Sequence, residues 1–508
     1  MRDSNLGAAS ATYNDVTRRN LEPLFDGIRA EISKAKFIAV DTEFTGLVLS
    51  NASEVFRLNT SEWVTRATNM EEKYKAMANI AKTHSLVSIG LSTFSKRHNR
   101  PGSFNVNNFN FTLQAQNSHL INPSSLAFLA QNGFDLGRQA MEGIRYFSGP
   151  NPRPVQVKTT AVNREGELIR EVFLDVIRAR VPLVVHNGLF DLVYLYQSFF
   201  GPLPDTYDSF AYDLFEMFPG GVYDTKYIAE SLSPGTASYL AYLFHKSERI
   251  QKRRRDSGEP AVNARLKSRL KYDVPEENQQ PSQLFVGNDS SRPYCEQFAD
   301  HGHCRYGKRC SRSHDINFIL DCQEREQQRT SAAETKEESG KDGDAEESGS
   351  GSGSGSGSSS GSEQGNKRKR DSSAEDQSIE SSKILAALVE NASRKRIKPT
   401  EPAKSPESAQ SSQSTATSAA TSTAAAGQET NMYHTAAYDA FMTGYIFASY
   451  RILLGEKIGE HINKVYLMGR PGQPLLVKAG MFSSNSITYR QTMPLVEKAS
   501  DMRLKERP

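Results

Sequence analysis

The sequence predicts an α/β layered domain whose chain is interrupted by a long insertion. Three observations carry this. Residues 34–245 alternate short apolar, β-branched runs with amphipathic ones, the pattern of strands and helices packed in layers. From about Gln251 the composition turns basic, then Cys/His-rich, then almost free of apolar residues. Order resumes near 431 in a piece too short to bury a core alone, so it is expected to pack back onto 34–245.

Lys36-Phe37-Ile38-Ala39-Val40 suits a buried strand, and Ser85–Leu91 and the Phe-rich Phe104–Phe111 follow as further strands. A helix is expected from Ser124, on a serine start signal. Glu171–Arg180 reads as another, with Val172, Phe173, Val176 and Ile177 on one face. Pro182-Leu183-Val184-Val185 is a core strand, Leu189–Phe200 an aromatic-rich helix, and after the insertion Tyr433–Leu454 is a helix and Lys464–Met468 a strand. The expected organisation is an N-terminal segment over 1–33, the domain over 34–250 and 431–490, a basic linker over 251–290, a finger over 291–317 and disorder over 323–430. The last assignment rests on 348–362, only Ser and Gly, and 408–427, only Ser, Ala, Thr, Gln and Gly, which cannot bury enough surface to offset chain entropy.

Composition sets bounds. With 62 Lys and Arg against 59 Asp and Glu, the net charge of +3 excludes a histone-like basic chain, so attraction to nucleic acid must come from local clusters. All four cysteines lie between 295 and 322, which rules out a disulfide framework across the chain and favours an intracellular setting. The N-terminus lacks the apolar h-region of a signal peptide, and no stretch approaches the ~20 apolar residues that cross a bilayer. Secretion and membrane partners are not expected.

Asp41 and Glu43 follow the first core strand in Asp41-Thr42-Glu43-Phe44-Thr45-Gly46, and strand residues i and i+2 share a face. Asp191 falls in the first turn of the next helix, in His186-Asn187-Gly188-Leu189-Phe190-Asp191, and His434 precedes Asp439 by five residues at the start of the last. Taken singly, these are a solvated strand end, a carboxylate favoured by a helix dipole, and a surface cap. Together, four carboxylates in one fold would repel each other unless cations neutralise them. Hard oxygen donors suit two Mg²⁺ or Mn²⁺ ions, which promote phosphodiester hydrolysis, with His434 placed to take the proton of the attacking water.

These motifs resemble the DEDDh exonucleases of ribonuclease H-like fold. The fuller strings DTEFTG, HNGLFDLVYLY, FPGGVYDTKYIAE and HTAAYDAFMTGY are similar to the CAF-type and poly(A)-specific ribonuclease deadenylases, over about 34–245 and 431–470. The resemblance implies 3′-to-5′ exonuclease action on single-stranded RNA ends, oligo(A) tails and small nuclear RNA among them. None of Asp41, Glu43, Asp191, His434 and Asp439 departs from the pattern. Asp224, in Tyr223-Asp224-Thr225-Lys226, recurs in it too, and a structural hydrogen-bonding role is favoured. Phe44 is suited to stack on the terminal base or, equally, to pack in the core.

Cys295, Cys304, Cys310 and His314 follow C-x8-C-x5-C-x3-H, three thiolates and an imidazole that match one tetrahedral Zn²⁺. The spacing resembles the CCCH fingers, which bind single-stranded RNA. Tyr294, Phe298 and Tyr306 offer stacking faces, and Arg305, Lys308, Arg309 and Arg312 phosphate contacts. Cys322 falls outside the spacing. Eight basic residues within 252–271 are expected to recruit RNA. Lys367–Arg370 and Arg394–Pro399 read as signals for nuclear import factors, placing the protein in the nucleoplasm, with nucleolus or Cajal bodies as further sites. Ile384, Leu385, Leu388 and Val389 form a small apolar stripe. The leading expectation is a metal-dependent 3′ exoribonuclease. Its rivals are a noncatalytic zinc-finger RNA-binding protein on a nuclease scaffold and a DNA exonuclease; self-association is left open.

Overall fold

The computed structural model describes residues 13–46, 69–97, 101–149, 161–271, 292–338, 435–467, 475–476 and 484–505. Two units divide the chain, Met1–Val286 with Val389–Pro508, and Gly287–Leu388. In the first, the N-terminal half runs β1 (Asn14–Val16), α1 (Leu21–Lys34), β2 (Ala35–Phe44), α2 (Met70–Thr83), β3 (Leu86–Lys96), β4 (Ser103–Ala115), α3 (Pro123–Gln131), α4 (Leu136–Glu142) and β5 (Ile144–Tyr146). Then come α5 (Ala161–Arg178), β6 (Leu183–Val185), α6 (Leu189–Leu195), α7 (Tyr207–Met217), β7 (Val222–Asp224), α8 (Thr225–Leu232), α9 (Leu240–Asp256) and β8 (Asn263–Leu266). The second unit holds α10 (Glu296–His301) and α11 (Ile316–Glu338); the first resumes with α12 (Ala436–Leu454), β9 (Lys464–Val465), β10 (Leu475–Leu476) and α13 (Ile487–Lys505).

Strand order is β1-β4-β3-β2-β6-β7-β9-β10, with β5 and β8 also paired to β4. β3 runs antiparallel to both of its neighbours, β2 and β4, whereas β2, β6 and β7 run parallel. Alternation along β2 sends Ile38 and Val40 to one face, into a core shared with Ile28 and Ile32 of α1 and Val172 and Val176 of α5. Phe37 faces the other way, stacked on Phe94 and edge-on to Phe447 of α12. Each such buried side chain contributes about 1.5–3 kcal/mol. Asp41 and Glu43 share the face of Phe37, so they point toward α12, opposite Gly90 and Ser88 in register.

Several elements differ from expectation. The fold begins before residue 34, because β1 pairs with β4 and α1 buries Leu21, Leu24, Ile28 and Ile32 at helical spacing. The basic stretch after 251 is not a free linker. It finishes α9 and forms β8 on the edge of β4, and Arg254 and Lys267 are paired with Glu259 and Glu31. The serine start of α3 is instead Asn122, whose side chain accepts from the N–H groups of Ser124 and Ser125, with Pro123 in the first turn. α5 begins ten residues ahead of Glu171, and the helix from Leu189 ends as a π-helical turn over Tyr196–Phe200. Order does not stop at 323: α11 reaches Glu338, and α13 passes 490. The strand after α12 covers only Lys464–Val465. The Ser/Gly and Ser/Ala/Thr tracts, both basic import motifs and the stripe at 384–389 lie outside the described residues.

Candidate active site

Oxygen atoms of Asp41, Glu43 and Asp439 lie within 4.8 Å of one another. β2 supplies the first two from its C-terminal end. The third comes from the first turn of α12, where the N–H of Asp439 donates to Thr435 O at 3.0 Å. What lets that helix end approach the sheet is Gly90. A Cβ there would sit 1.8 Å from Ala436 O and 2.5 Å from Ala437 N, so no other residue fits under the helix at this separation.

Asp191 stands beside the trio, buried in the first turn of α6, and its Oδ1 accepts from the hydroxyl of Thr42 at 2.6 Å. Thr42 lies between Asp41 and Glu43 and points to the opposite face, so the x of D-x-E ties the first acidic motif to the second. The loop before α6 is held by Asp224, which accepts from the N–H groups of Asn187 (2.9 Å), Gly188 (3.3 Å), Lys226 (2.9 Å) and Tyr466 (3.0 Å). Those bonds let Asn187 keep its left-handed φ of 55°. Asp224 is thus a buried hydrogen-bonding hub, as its sequence context favoured. Phe44 is half-buried and stacks on Tyr194 (4.8 Å, 9°), the packing that is one of its two expected roles, and the Tyr194 hydroxyl donates to Gly46 O at 2.9 Å.

Burial, then Asp439, Asp191 and Glu43, raise the Asp41 carboxyl well above its ordinary range. Burial, then Asp439 and Asp191, do the same to Glu43. Asp191 is pushed up to about 6 by burial, against the lowering effect of the Thr42 hydroxyl and backbone N–H groups. The charges acting on these groups are chiefly other carboxylates. Such a desolvated, mutually repelling oxygen set fits hard divalent cations, which replace repulsion by attraction. His434 lies outside the described residues.

In the second unit, donor atoms of Cys295, Cys304, Cys310 and His314 also lie within 4.8 Å of one another. Tetrahedral Zn–S bonds of about 2.3 Å separate sulfurs by about 3.8 Å, so the set fits zinc. His314 Nε2 is buried without a hydrogen-bond partner, and burial lowers the imidazole's pKa, keeping it in the neutral form that ligates metal. Gly302, at φ +72°, ends α10 and turns the chain toward Cys304, whose Sγ accepts from the Tyr306 N–H at 3.4 Å. The ring of Phe298 stacks on His314 at 4.4 Å, so this face buttresses a ligand rather than meeting a base. Tyr306 is 54% exposed with the Arg305 guanidinium 4.8 Å over its ring, while Arg309 is exposed and Tyr294 half-buried. Arg312 pairs with Glu296, and the Lys308 side chain lies outside the described residues.

The family model described as CAF1 family ribonuclease matches residues 16–168 and 151–447. The chain belongs to the CAF1 ribonuclease family. The mixed sheet is the ribonuclease H-like fold of that family, and the motifs carrying Asp41, Glu43 and Asp191 fall inside the match, as does α12 up to Phe447. Among relatives, the Arabidopsis thaliana protein "Probable CCR4-associated factor 1 homolog 5" is 24% identical over 270 residues, 51% of this chain and 82% of its own. The Bombyx mori "Pre-piRNA 3'-exonuclease trimmer" is 40% identical over 65 residues, 12% of each chain. Human "Poly(A)-specific ribonuclease PNLDC1" is 38% identical over 60 residues, 12% of this chain and 11% of its own. Among solved structures, S. pombe Pop2p in an Mg²⁺- and Mn²⁺-bound form is 21% identical, covering 43% of this chain and 75% of its own, with a TM-score of 0.30.

Three contributors escaped the sequence reading. Gly90 and Thr42 are short residues in strands, visible as important only once register is known. Lys267 looked like part of an RNA-recruiting run but neutralises Glu31 at 2.6 Å.

Proposed function

We propose that this CAF1-family ribonuclease is a 3′-to-5′ exoribonuclease that trims RNA 3′ ends, oligo(A) tails included. The observation carrying the proposal is the convergence of Asp41, Glu43 and Asp439, with Asp191 locked beside them by Thr42. Asp41, Glu43, Asp191 and Asp439 would hold two Mg²⁺ or Mn²⁺ ions, which supply Lewis-acid activation of water and stabilise the leaving oxygen. The protein's own part is to keep four carboxylates poised in a poorly solvated place, and to hold Asp191 in one orientation through Thr42. His434, by its place ahead of Asp439, takes the proton of the attacking water.

The Cys₃His cluster holds one Zn²⁺ and recruits single-stranded RNA through Tyr306 and Arg305. Its position inside the insertion, between the second and third acidic motifs, resembles the arrangement in the protein called target of early growth response protein 1. With the two import motifs, that favours a nuclear enzyme acting on small nuclear RNA ends.

The test is a ladder assay. Purified protein is incubated with 5′-labelled RNA and DNA of one sequence, with and without Mg²⁺. Stepwise shortening of RNA in Mg²⁺, lost in Asp41→Ala, is expected. RNA left intact would overturn the proposal, and equal shortening of DNA would overturn its substrate.

A further inference from the structure

Residues distant in sequence meet at the end of the sheet opposite the carboxylates, and they are basic. Lys36 is the second residue of β2, whose far end carries Asp41 and Glu43; Lys96 ends β3, opposite Phe104 in register. The N–H of Arg97 donates to Ser103 O, and Arg265 of β8 pairs with Asn105. At the end of α9, Arg255 Nη1 donates to Val262 O at 3.0 Å. Arg451, in the last turn of α12, sets its guanidinium 5.9 and 6.0 Å from the Phe37 and Phe447 ring centroids. Two acids at this end are already neutralised, Glu31 by Lys267 and Lys34, and Glu259 by Arg254. Lys36, Lys96, Arg255, Arg265 and Arg451 remain exposed.

We propose that this basic end is a second contact surface for the RNA strand, gripping it upstream of the 3′ end; the inference rests on RNA being the substrate. A carboxylate-lined site repels phosphate, so a polyanion must find its cations elsewhere. Arg255 and Arg451 are exposed yet braced, by a carbonyl and by two rings, which lowers the entropy lost on gripping phosphate. From Asp439 to Arg451 is twelve helical residues, about 18 Å at 1.5 Å each. Along β2, Ala35 to Asp41 gives about 20 Å. At about 3.4 Å per stacked nucleotide, a strand spans the two ends with roughly six nucleotides. Shorter RNA reaches the carboxylates without touching the basic end.

The test compares the full-length double variant Lys96→Glu/Arg265→Glu with Lys82→Glu/Lys498→Glu, which makes the same charge change on α2 and α13. Binding of fluorescent RNA of about five and about twenty nucleotides is measured against salt without Mg²⁺ or Mn²⁺, so the readout does not depend on catalysis; trimming is then measured in Mg²⁺. Each lost phosphate contact lowers the salt slope by about 0.7, so two amount to about 25-fold weaker binding at 0.1 M salt relative to 1 M. That loss is expected for the long RNA in the first variant only, with short-RNA trimming unchanged. Equal losses in both variants, or losses for both lengths, overturn the proposal. So does unchanged RNA binding accompanied by lost retention on phosphatidylserine vesicles, which would assign the surface to anionic lipid. Wild-type binding that follows the expected pattern without any trimming would instead refute the nuclease reading and leave this surface standing.

Discussion

Gly90→Ala adds one methyl group beneath the first turn of α12. That carbon would lie 1.8 Å from Ala436 O and 2.0 Å from Ala436 C, where contacts below 3.0 Å essentially do not occur. The neighbours are backbone atoms in a helix start and a central strand, so neither yields by rotating a side chain. The helix must retreat by at least about 1.2 Å, and Asp439, three residues on, retreats with it from Asp41 and Glu43. Overpacking of this kind costs about 1–3 kcal/mol of stability. A displacement near 1 Å in a positioned catalytic set costs about 10²-fold in rate. Single-turnover trimming of a short labelled RNA, with thermal unfolding on the same sample, reads both quantities. Because the expected stability loss leaves the protein folded at 25 °C, the rate loss should persist at temperatures far below the melting transition. Wild-type rate and stability in Gly90→Ala would refute the close approach and the positioning derived from it.

Other expectations concern charge, proton transfer and the insertion. Asp191, pushed up to about 6, and Asp41 and Glu43, also raised well above the usual carboxylate range, hold protons in the folded state that the unfolded chain has released. Stability without divalent metal should therefore fall as pH rises from about 4 through 6, with Asp191 contributing on the order of 3 kcal/mol. Urea unfolding across that range, with and without Mg²⁺, checks this, and a rise with pH would contradict it. His434→Ala should cut trimming by about 10²–10⁴ while leaving Mg²⁺ affinity, measured by calorimetry, nearly unchanged. Replacing 272–430 by a short Gly/Ser linker should leave a folded enzyme, since loop closure entropy grows only logarithmically. Starting the replacement at 255 should lower the melting temperature, because it deletes β8 and the Lys267–Glu31 pair; equal melting temperatures would count against β8 as part of the domain. Cys304→Ser should abolish zinc binding, read by metal analysis, and spare trimming of short RNA.

Strands β2, β3, β4 and β6 were legible because their buried runs are dense and bounded. The acids were legible because each follows a strand or opens a helix at a fixed offset. β1 and β8 were not: three or four residues give no usable periodicity, and both are strands only by virtue of the β4 edge they cover. The basic run at 252–271 is one feature in the sequence, yet tertiary pairing splits it. Arg254 and Lys267 serve the fold while Arg265 faces water, a distinction no charge count contains. The partner of Phe298 is hidden in the sequence for a related reason, since the stacking of its ring on His314 shows only once the finger is folded.

The late position of α12 in the chain has a consequence for synthesis. Phe37 and Phe94 are covered on their open face by Phe441 and Phe447, which follow residues 267–435 in the order of translation. At about 5–20 residues per second, the nascent sheet waits roughly 10 to 35 s with that aromatic face bare. During this interval the chain offers chaperones an apolar surface and has no Asp439. The carboxylate trio closes only when α12 leaves the ribosome, so the same helix that ends the exposure also completes the site.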